Sequence, residues 1–389
     1  MKLVIADDFT GSAELAGIGM RYGFAMELRR EIDFKCAADM LVVDVDSRSR
    51  SSRDVLQRMN RVVSELKQVS FDLLYKKTDS VLRGHVRIEL ESLLEGLSRP
   101  LVLLVPANPS RGRIISDGIY YIDGKPLHET DLGEVRKKPA KTGRVLDLIG
   151  DSTRFQIHVL KPGEDLPDRG IVIGEATCHE DLIQWASRVD KKTIPAGGSE
   201  FFLTILEYAG YSKREELIPT EFTFFSNKKM LFVLGSSSEY SRKFLSQIKQ
   251  LNLPVCLFPG KLTAPETWTS SLLQRWVETV IDAFSRSSRV IAAIGQPIIH
   301  ERRISRKLAK WMAYLVSKIV KDQVLDEIII EGGATASAIL NCLKWNRFLP
   351  LQELAPGVVR LKIVDQNTPY VTVKPGSYAW PACLWETKS

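Results

Sequence analysis

The feature that most constrains this chain is a repeating order of elements: a short β-branched or leucine-rich run, then a polar or glycine-rich turn, then a helical pattern. Such continuous apolar runs are typical of buried parallel strands, because helices cover both faces of a parallel sheet. In the first half the runs are residues 3–6, 41–45, 71–75, 101–105 and 171–173. In the second half they are residues 230–234, 255–258, 290–294, 327–330, 358–364 and 370–373. The order of elements predicts an α/β protein with mainly parallel sheets.

The runs fall into two groups, and the chain is long enough for two domains. A domain typically has about 100 to 200 residues, and this chain has 389. A polar segment at residues 211–229, with a proline at position 219, separates the groups and is typical of a linker. We therefore expect two α/β domains, residues 1–225 and 226–389, that face each other across an interdomain cleft. Apolar spacing predicts helices over residues 53–66, 86–97, 271–284, 305–320 and 335–343.

Composition excludes several classes of protein. Apolar residues make up 44% and charged residues 26% of the chain, which is ordinary for a globular protein and unlike a disordered, collagenous or coiled-coil chain. No apolar stretch is long enough to span a membrane, and two aspartates follow the start too soon for a signal peptide, so we expect a cytoplasmic protein without a membrane partner. The five cysteines lack the spacing of a disulfide framework or a zinc ribbon. A net charge of +7 suits an anionic small molecule as well as a nucleic acid.

Ligands bind beyond the carboxyl ends of the strands in an open parallel sheet, so the turns after strands are the first candidates for a site. The first such turn, residues 7–12, carries two carboxylates, two hydroxyls and a glycine at the start of a helix. These groups could hold a metal ion or a substrate hydroxyl. The alternative is that Asp8 or Thr10 only caps the helix.

A second candidate turn follows the third strand, at residues 76–85, and contains two lysines, an arginine, a carboxylate and two hydroxyls. Converging cations suit a carboxylate or a phosphate, because arginine binds bidentately and lysine supplies a compact charge. The alternative is a solvated charged loop. After the fourth strand, Arg111 and Arg113 flank a glycine and could equally reach an anion or point to water. The segment 117–124 predicts a β-hairpin.

The second half carries three glycine-containing turns after strands, at residues 234–238, 331–335 and 374–377. Backbone amides and hydroxyls at such turns suit a phosphate, especially where a helix begins. Each turn alone is a weak signal, but three in one domain favour a nucleotide site. A Walker A pattern and a dinucleotide fingerprint are both absent.

Taken together, these segments resemble the four-carbon acid sugar kinase family, which includes D-threonate, D-erythronate and 3-oxo-tetronate kinases. The resemblance rests on residues 5–11, 47–48, 76–80, 82–84, 106–107, 112–113, 332–333 and 335, in the family's order. It implies an amino-terminal domain that binds the acid sugar and a carboxy-terminal domain that binds ATP with Mg²⁺. It also implies transfer of the γ-phosphoryl group to the terminal hydroxyl of the acid, giving the 4-phosphate.

The resemblance also implies which residues form the sites. Substrate contacts would fall on Asp7, Thr10, Ser47, Arg48, Lys77, Ser80 and Arg83, with Lys77 and Arg83 as candidates for holding the carboxylate. Nucleotide contacts would fall on Ser236, Ser237, Ser238, Gly332, Gly333, Ala334, Thr335 and Gly376. Asp8 is the hypothesised base for the substrate hydroxyl and Asp79 the alternate, since each lies in a strand-end turn beside cations or hydroxyls. The sequence does not specify a metal ligand.

Three residues depart from the family pattern, and the change at Ala379 supports a second hypothesis. Glu14 stands where an aspartate is usual, Val81 where threonine is frequent, and Ala379 where the family has glycine. The alternative function is therefore a sensor that kept the fold and binds acid sugar or nucleotide without turnover. Nucleic-acid binding through residues 302–307 and 136–138 is disfavoured, because these basic clusters lack interleaved aromatics. The sequence leaves open which acid is bound and whether the chain forms a homo-oligomer.

Overall fold

The computed structural model describes residues 1–130, 133, 141–152, 154–214, 228–236, 238–262, 264–295, 302–364 and 366–384. The chain divides into two compact units, Met1–Arg214 and Glu215–Ser389. The predicted boundary near residue 225 lies outside the described residues, as does the basic cluster at 136–138.

The first unit contains a parallel sheet of eight strands in the order β2-β3-β1-β4-β11-β5-β10-β9. Its strands are β1 (Lys2–Ala6), β2 (Met26–Arg29), β3 (Met40–Asp44), β4 (Leu73–Lys77), β5 (Leu101–Val105), β9 (Ile157–Leu160), β10 (Gly170–Gly174) and β11 (Thr193–Gly197). Its helices are α1 (Phe9–Arg21), α2 (Ser52–Leu66), α3 (Val86–Leu97), α4 (Val145–Ile149), α5 (His179–Ala186) and α6 (Ser199–Tyr208). The predicted α/β class is confirmed.

A small antiparallel sheet lies between β5 and β9 in the chain and consists of β6 (Arg113–Ser116), β7 (Ile119–Ile122) and β8 (Lys125–Pro126). Its first two strands form a hairpin over residues 113–122, so the predicted segment 117–124 supplies the turn and β7 but not the first strand. The tight turn uses Asp117 and Gly118, both with positive φ, as two-residue hairpin turns require. One face of the hairpin joins the apolar core of the unit through Ile115 and Tyr120, which are fully buried.

The second unit has a seven-stranded sheet in the order β13-β14-β12-β15-β18-β17-β16. Its strands are β12 (Met230–Leu234), β13 (Val255–Leu257), β14 (Arg289–Ala293), β15 (Glu327–Glu331), β16 (Arg347–Ala355), β17 (Val358–Ile363) and β18 (Tyr370–Lys374). The first five strands in this order are parallel, whereas β17 pairs antiparallel with both of its neighbours. Its helices are α7 (Glu239–Gln250), α8 (Ser270–Ala283), α9 (Arg302–Asp322) and α10 (Gly333–Leu343).

All eleven predicted runs form strands, and the five predicted helices form within three residues of their predicted ends. The second unit has its own apolar core, which includes Met230, Phe232, Ile291 and Ile329. Within the described part of the chain, no helix combines the length and the apolar character needed to cross a membrane.

Candidate functional site

Three turns of the first unit meet at one edge of its sheet, because β3, β1 and β4 are adjacent and parallel. The turn after β1 carries Asp7 and Asp8, the turn after β3 carries Ser47 and Arg48, and the turn after β4 carries the segment 78–83. The structure therefore brings together the three first-half segments that the sequence singled out.

Arg48 is the centre of this edge. Its guanidinium donates to both carboxylate oxygens of Asp7, at 2.7 and 2.9 Å, and to Asp8 Oδ2 at 2.5 Å. Asp79 Oδ1 lies 3.6 Å from the same guanidinium. The site is thus a cluster of three carboxylates held around one arginine. Charge-assisted contacts of this kind fix the carboxylates in position.

The three carboxylates differ in their proton affinity. Burial would raise the pKa of Asp7, but the Arg48 guanidinium outweighs that effect and the net pKa is below the ordinary value. Burial raises the pKa of Asp8, and Arg48 offsets the increase only in part. Burial also opposes ionisation of Asp79, yet Arg83 and Arg48 together hold its pKa well below the usual range. Asp8 is therefore the most basic carboxylate of the cluster.

Asp8 is also the N-cap of α1. Its Oδ1 accepts from the Gly11 amide at 2.9 Å and its Oδ2 from the Thr10 hydroxyl at 2.8 Å. The capping alternative from the sequence is correct, and the contact with Arg48 shows that capping is not the only role of the side chain. Gly11 leaves room for this cap, since a Cβ there would lie 2.9 Å from Asp8 Oδ1.

Asp79 and Arg83 form a bidentate ion pair four residues apart, within the turn between β4 and α3. The Arg83 guanidinium donates to the two Asp79 oxygens at 2.8 and 2.7 Å, and the Arg83 amide donates to Asp79 Oδ2 at 3.0 Å. The charge of Arg83 is therefore balanced within the turn itself.

The two lysines of this turn do not converge on one point as the sequence suggested. Lys76 is fully buried and pairs with Glu89 at 2.8 Å, and Ser47 donates to the same carboxylate. Lys77 donates to the Thr78 carbonyl at 2.8 Å and lies 3.8 Å from Glu14. Ser47 is thereby directed to the buried ion pair, and Lys77 remains beside α1.

Glu14 and Ser199 are polar residues of this edge that were absent from the predicted site. Ser199 begins α6, directly after β11, and its hydroxyl donates to Glu14 Oε1 at 3.1 Å. Glu14 was named only as a departure from a family pattern. Ser199 gave no signal, because β11 contains a proline and a glycine and was not predicted as a strand.

The second unit gathers its three glycine turns in the same way, since β12, β15 and β18 are adjacent and parallel. Ser238 caps α7 by accepting from the Ser241 amide at 3.3 Å, and its hydroxyl donates to the Gly376 carbonyl at 2.8 Å. The Ser236 hydroxyl accepts from the Ser238 amide at 3.1 Å. Ser237 lies outside the described residues.

Two glycines of these turns have a specific structural role. A Cβ at Gly235 would overlap the buried Thr335 side chain, so glycine allows the first turn to pack against α10. Gly332 has a φ of +93°, which glycine adopts without the strain that other residues incur. Gly333, Ala334 and Thr335 form the first turn of α10.

A buried ion pair underlies the three turns, and although its residues open two of the predicted turns, neither was predicted as a site residue. Glu331 and Lys374 are the last residues of β15 and β18, are both fully buried and lie 2.8 Å apart. Glu331 accepts from the Ser241 hydroxyl at 2.6 Å and from Trp380 Nε1 at 3.2 Å. Lys374 donates to the Tyr378 carbonyl at 2.6 Å. Burial raises the pKa of Glu331 and lowers that of Lys374, and each partner opposes the shift of the other.

Comparison with known proteins agrees with this division into two units. A family model described as a sugar-binding N-terminal domain matches residues 2–199, and one described as a nucleotide-binding C-terminal domain matches residues 231–378. A D-threonate kinase from Salmonella typhimurium is 21% identical over 91% of this chain and 89% of that protein. A 3-oxo-tetronate kinase from Haemophilus influenzae is 24% identical over 96% of both chains. A crystal structure of a Haemophilus influenzae protein has the same fold, with a TM-score of 0.68, 18% identity and 98% coverage of both chains.

Proposed function

The chain belongs to the four-carbon acid sugar kinase family, and from this premise we propose that it transfers the γ-phosphoryl group of ATP to the terminal hydroxyl of a four-carbon acid sugar. The products are the acid sugar 4-phosphate and ADP. The observation that carries the proposal is the carboxylate cluster around Arg48, which lies within the part of the chain that matches the sugar-binding model. The cytoplasmic location stays a prediction.

Asp8 is the base that we propose for the reaction. The terminal hydroxyl oxygen attacks the γ-phosphorus, the bond to the bridging oxygen of ADP breaks, and the hydroxyl proton passes to the Asp8 carboxylate. Asp8 suits this role because burial raises its pKa, and a stronger base accepts a proton more readily. Asp79 is the weaker candidate, since Arg83 and Arg48 outweigh the effect of burial and lower its pKa.

Positioning supplies most of the remaining catalysis, as is usual for phosphoryl transfer. We propose that Asp7, Thr10, Ser47, Ser80 and Lys77, together with Arg48 and Arg83, bind or orient the acid sugar. The contacts among them keep the first unit's turns in one arrangement before the substrate binds.

We propose that the nucleotide phosphates bind at the glycine turns of the second unit. The amino-terminal ends of α7 and α10 present backbone amides there, and such ends favour anions. Ser236, Ser238, Gly332, Gly376 and the first turn of α10 are the contacts in this proposal. The support for it is the mutual attachment of the three turns through Ser238 and Gly376.

Mg²⁺ is proposed to accompany ATP and to neutralise charge on its terminal phosphates. In kinases this ion usually binds one or two carboxylates together with phosphate oxygens and water. Within the described residues, no group of three or more His, Cys, Asp or Glu side chains is arranged to hold a metal ion. Asp8 and Asp79 supply oxygen atoms of the type that Mg²⁺ prefers, but these oxygens already accept from Arg48 and Arg83, so an ion that arrives with the nucleotide would be held mainly by its phosphate oxygens and water.

The test is a coupled ATP-consumption screen of the purified chain with D-threonate, D-erythronate and 3-oxo-tetronates. We expect ADP formation that depends on one of these acids, with the phosphorylated acid identified by mass spectrometry. The neutral four-carbon polyols threitol and erythritol serve as control substrates. Binding of a tetronate without any ADP formation would favour the sensor instead.

A further inference from the structure

Arg113 differs from the other arginines of the first unit's site because, within the part of the chain that the structure describes, no carboxylate neutralises it. Among the described residues no acidic side chain lies within ion-pair distance of its guanidinium, which donates instead to the Ser80 hydroxyl at 2.5 Å. Arg48 by contrast contacts Asp7 and Asp8, and Arg83 binds Asp79 through two nitrogens. A partly buried arginine without a carboxylate favours an anionic ligand.

The β6–β7 hairpin determines where Arg113 lies. Arg113 pairs with Ile122, and Ile115 pairs with Tyr120, so these four side chains share one face of the hairpin. Ile115 and Tyr120 are fully buried in the core of the unit. This face is therefore the inner one, and Arg113 lies at its end beside Ser80, which follows β4.

Tyr120 adds a second observation on the same face. Its hydroxyl is buried and has no hydrogen-bond partner among the described residues. Burial raises the pKa of Tyr120, although the Arg113 charge opposes the shift, so the hydroxyl keeps its proton and remains a donor. A buried donor without an acceptor destabilises a protein. A ligand oxygen would remove that cost.

Resting on the proposed function, we propose that Arg113, Ser80 and Tyr120 bind the carboxylate of the acid sugar. The guanidinium offers parallel donors that match a carboxylate, and the Ser80 hydroxyl, which accepts from Arg113, can donate its own hydrogen to the ligand. The Tyr120 hydroxyl supplies a further donor to the same group. This assignment replaces Arg83 and Lys77 as the groups that hold the carboxylate. Arg83 then positions Asp79, and Lys77 stays with Thr78 and Glu14.

The experiment compares Arg113→Gln, Tyr120→Phe and Arg83→Gln with the wild type by calorimetry and by kinetics. The ligand is whichever of D-threonate, D-erythronate and the 3-oxo-tetronates the wild type phosphorylates. We expect Arg113→Gln to weaken binding of the acid by at least about 30-fold, the loss typical of a removed partner in a buried charge pair. Tyr120→Phe should weaken it by a smaller factor, and Arg113→Lys should recover part of the loss. The KM for ATP should stay within about twofold in all of these variants.

A neutral ligand separates charge recognition from a general loss of structure. The polyol with a hydroxymethyl group in place of the carboxylate should bind the wild type weakly, and Arg113→Gln should weaken its binding no further. Arg154→Gln, at an exposed arginine that pairs with Glu95, is the control for surface charge. Melting temperatures verify that each variant is folded, and Tyr120→Phe keeps the ring that packs in the core.

Two results would overturn the assignment. If Arg113→Gln keeps the wild-type affinity for the acid while Arg83→Gln loses it, the carboxylate binds at Arg83. If Arg113→Gln weakens the acid and the neutral polyol equally, the residue acts on structure and not on the carboxylate. In both cases the wild type still phosphorylates a tetronate, and the proposed function stands. A wild type that neither binds nor phosphorylates any tetronate contradicts both proposals.

Discussion

At the scale of single residues, the site depends on how one guanidinium is shared among three carboxylates. Arg48 and Arg83 leave Asp7 and Asp79 more acidic than ordinary aspartates, whereas burial leaves Asp8 more basic. Separation of the pKa values of neighbouring carboxylates is a common way to assign one of them as an acid or base.

Asp8→Asn should therefore lower the turnover number by about 10²- to 10⁴-fold, the usual contribution of a general base. Asp79→Asn should act mainly on the binding of the acid sugar, because it releases Arg83 from its ion pair.

Wild-type kcat/KM should also decrease as the pH falls through the raised pKa of Asp8, since the base must be deprotonated to act. Steady-state kinetics of both variants, with a pH profile of the wild type, measure these effects. Near wild-type turnover in both variants would exclude both aspartates as the base.

Asp44, at the end of β3, makes a separate prediction about stability. It is fully buried, it accepts from Arg30 at 3.2 Å, and burial raises its pKa to about 7 although Arg30 opposes the shift. The folded state then binds a proton that the unfolded state has lost, so the stability contributed by this group is present at low pH and is lost as the pH rises through about 7.

The free energy of unfolding should accordingly fall between pH 5 and 8, by on the order of 2 to 4 kcal/mol from Asp44 alone. Asp44→Asn removes this titration, and its unfolding free energy should change less over the same range. Denaturant titrations at pH 5 and pH 8 give the unfolding free energy of each protein at both pH values, and the change between the two is the quantity compared. Asp151→Asn, at an exposed position, is the matched control. An equal change in unfolding free energy between pH 5 and pH 8 in the wild type and in Asp44→Asn would contradict the prediction.

The residue types of the site could be predicted from the sequence, but their pairing could not. Asp7, Asp8 and Asp79 were predicted to lie in strand-end turns because the apolar runs end just before them. That Arg48 contacts all three depends on β3 and β4 lying on either side of β1 in the sheet, and strand order is a property of the whole fold.

At the scale of elements, polar interactions decide which strands a sequence pattern reveals. β2 was not predicted, because its four residues include Glu27 and Arg29, which are buried as an ion pair with 2.6 Å between Nε and Oε1. β16 contains Pro350 and alternates exposed with buried residues over its first half, unlike the continuous runs that were sought. Continuous apolar runs therefore predict the apolar central strands. They do not predict strands whose polar side chains pair with other groups inside the protein.

The Glu331–Lys374 pair shows how two elements support the glycine turns. Lys374→Met leaves Glu331 buried and unpaired, and we expect it to lower the unfolding free energy by about 3 to 5 kcal/mol. Glu331→Gln combined with Lys374→Met removes the unpaired charge, keeps an oxygen that can accept from Trp380 Nε1 and places an NH2 group that can donate to the Ser241 hydroxyl, so it should recover much of that loss. Both proteins should still bind ATP more weakly than the wild type, because the Tyr378 carbonyl has lost its donor.

Chemical denaturation and ATP titration of the single and double variants measure these effects. Lys243→Met is the control, because Lys243 pairs with Glu239 in an exposed i,i+4 contact that contributes little. Full recovery of ATP affinity in the double variant would show that the charge pair stabilises the unit without positioning its turns.

At the scale of the whole molecule, the division into two units is the feature that both the sequence and the structure support. Each unit has its own sheet and apolar core, and each matches a separate family model. The two groups of apolar runs made this division predictable. The exact division near residue 214 was not, because a polar linker gives no periodic signal.

We expect this division to appear as independence of the two binding steps when each ligand is titrated alone. Arg113→Gln in the first unit should weaken binding of the acid sugar and leave ATP affinity within about twofold, because Arg113 belongs to the unit that matches the sugar-binding model and is not one of the proposed nucleotide contacts. Gly235→Ala in the second unit should weaken ATP by at least about tenfold, since the added methyl group displaces Thr335 at the start of α10. That variant should leave acid-sugar affinity unchanged.

Calorimetry of both variants with both ligands measures the four affinities. If either substitution alters both affinities by similar factors, the ligands are not divided between the units as proposed, and a single shared site would explain the data better.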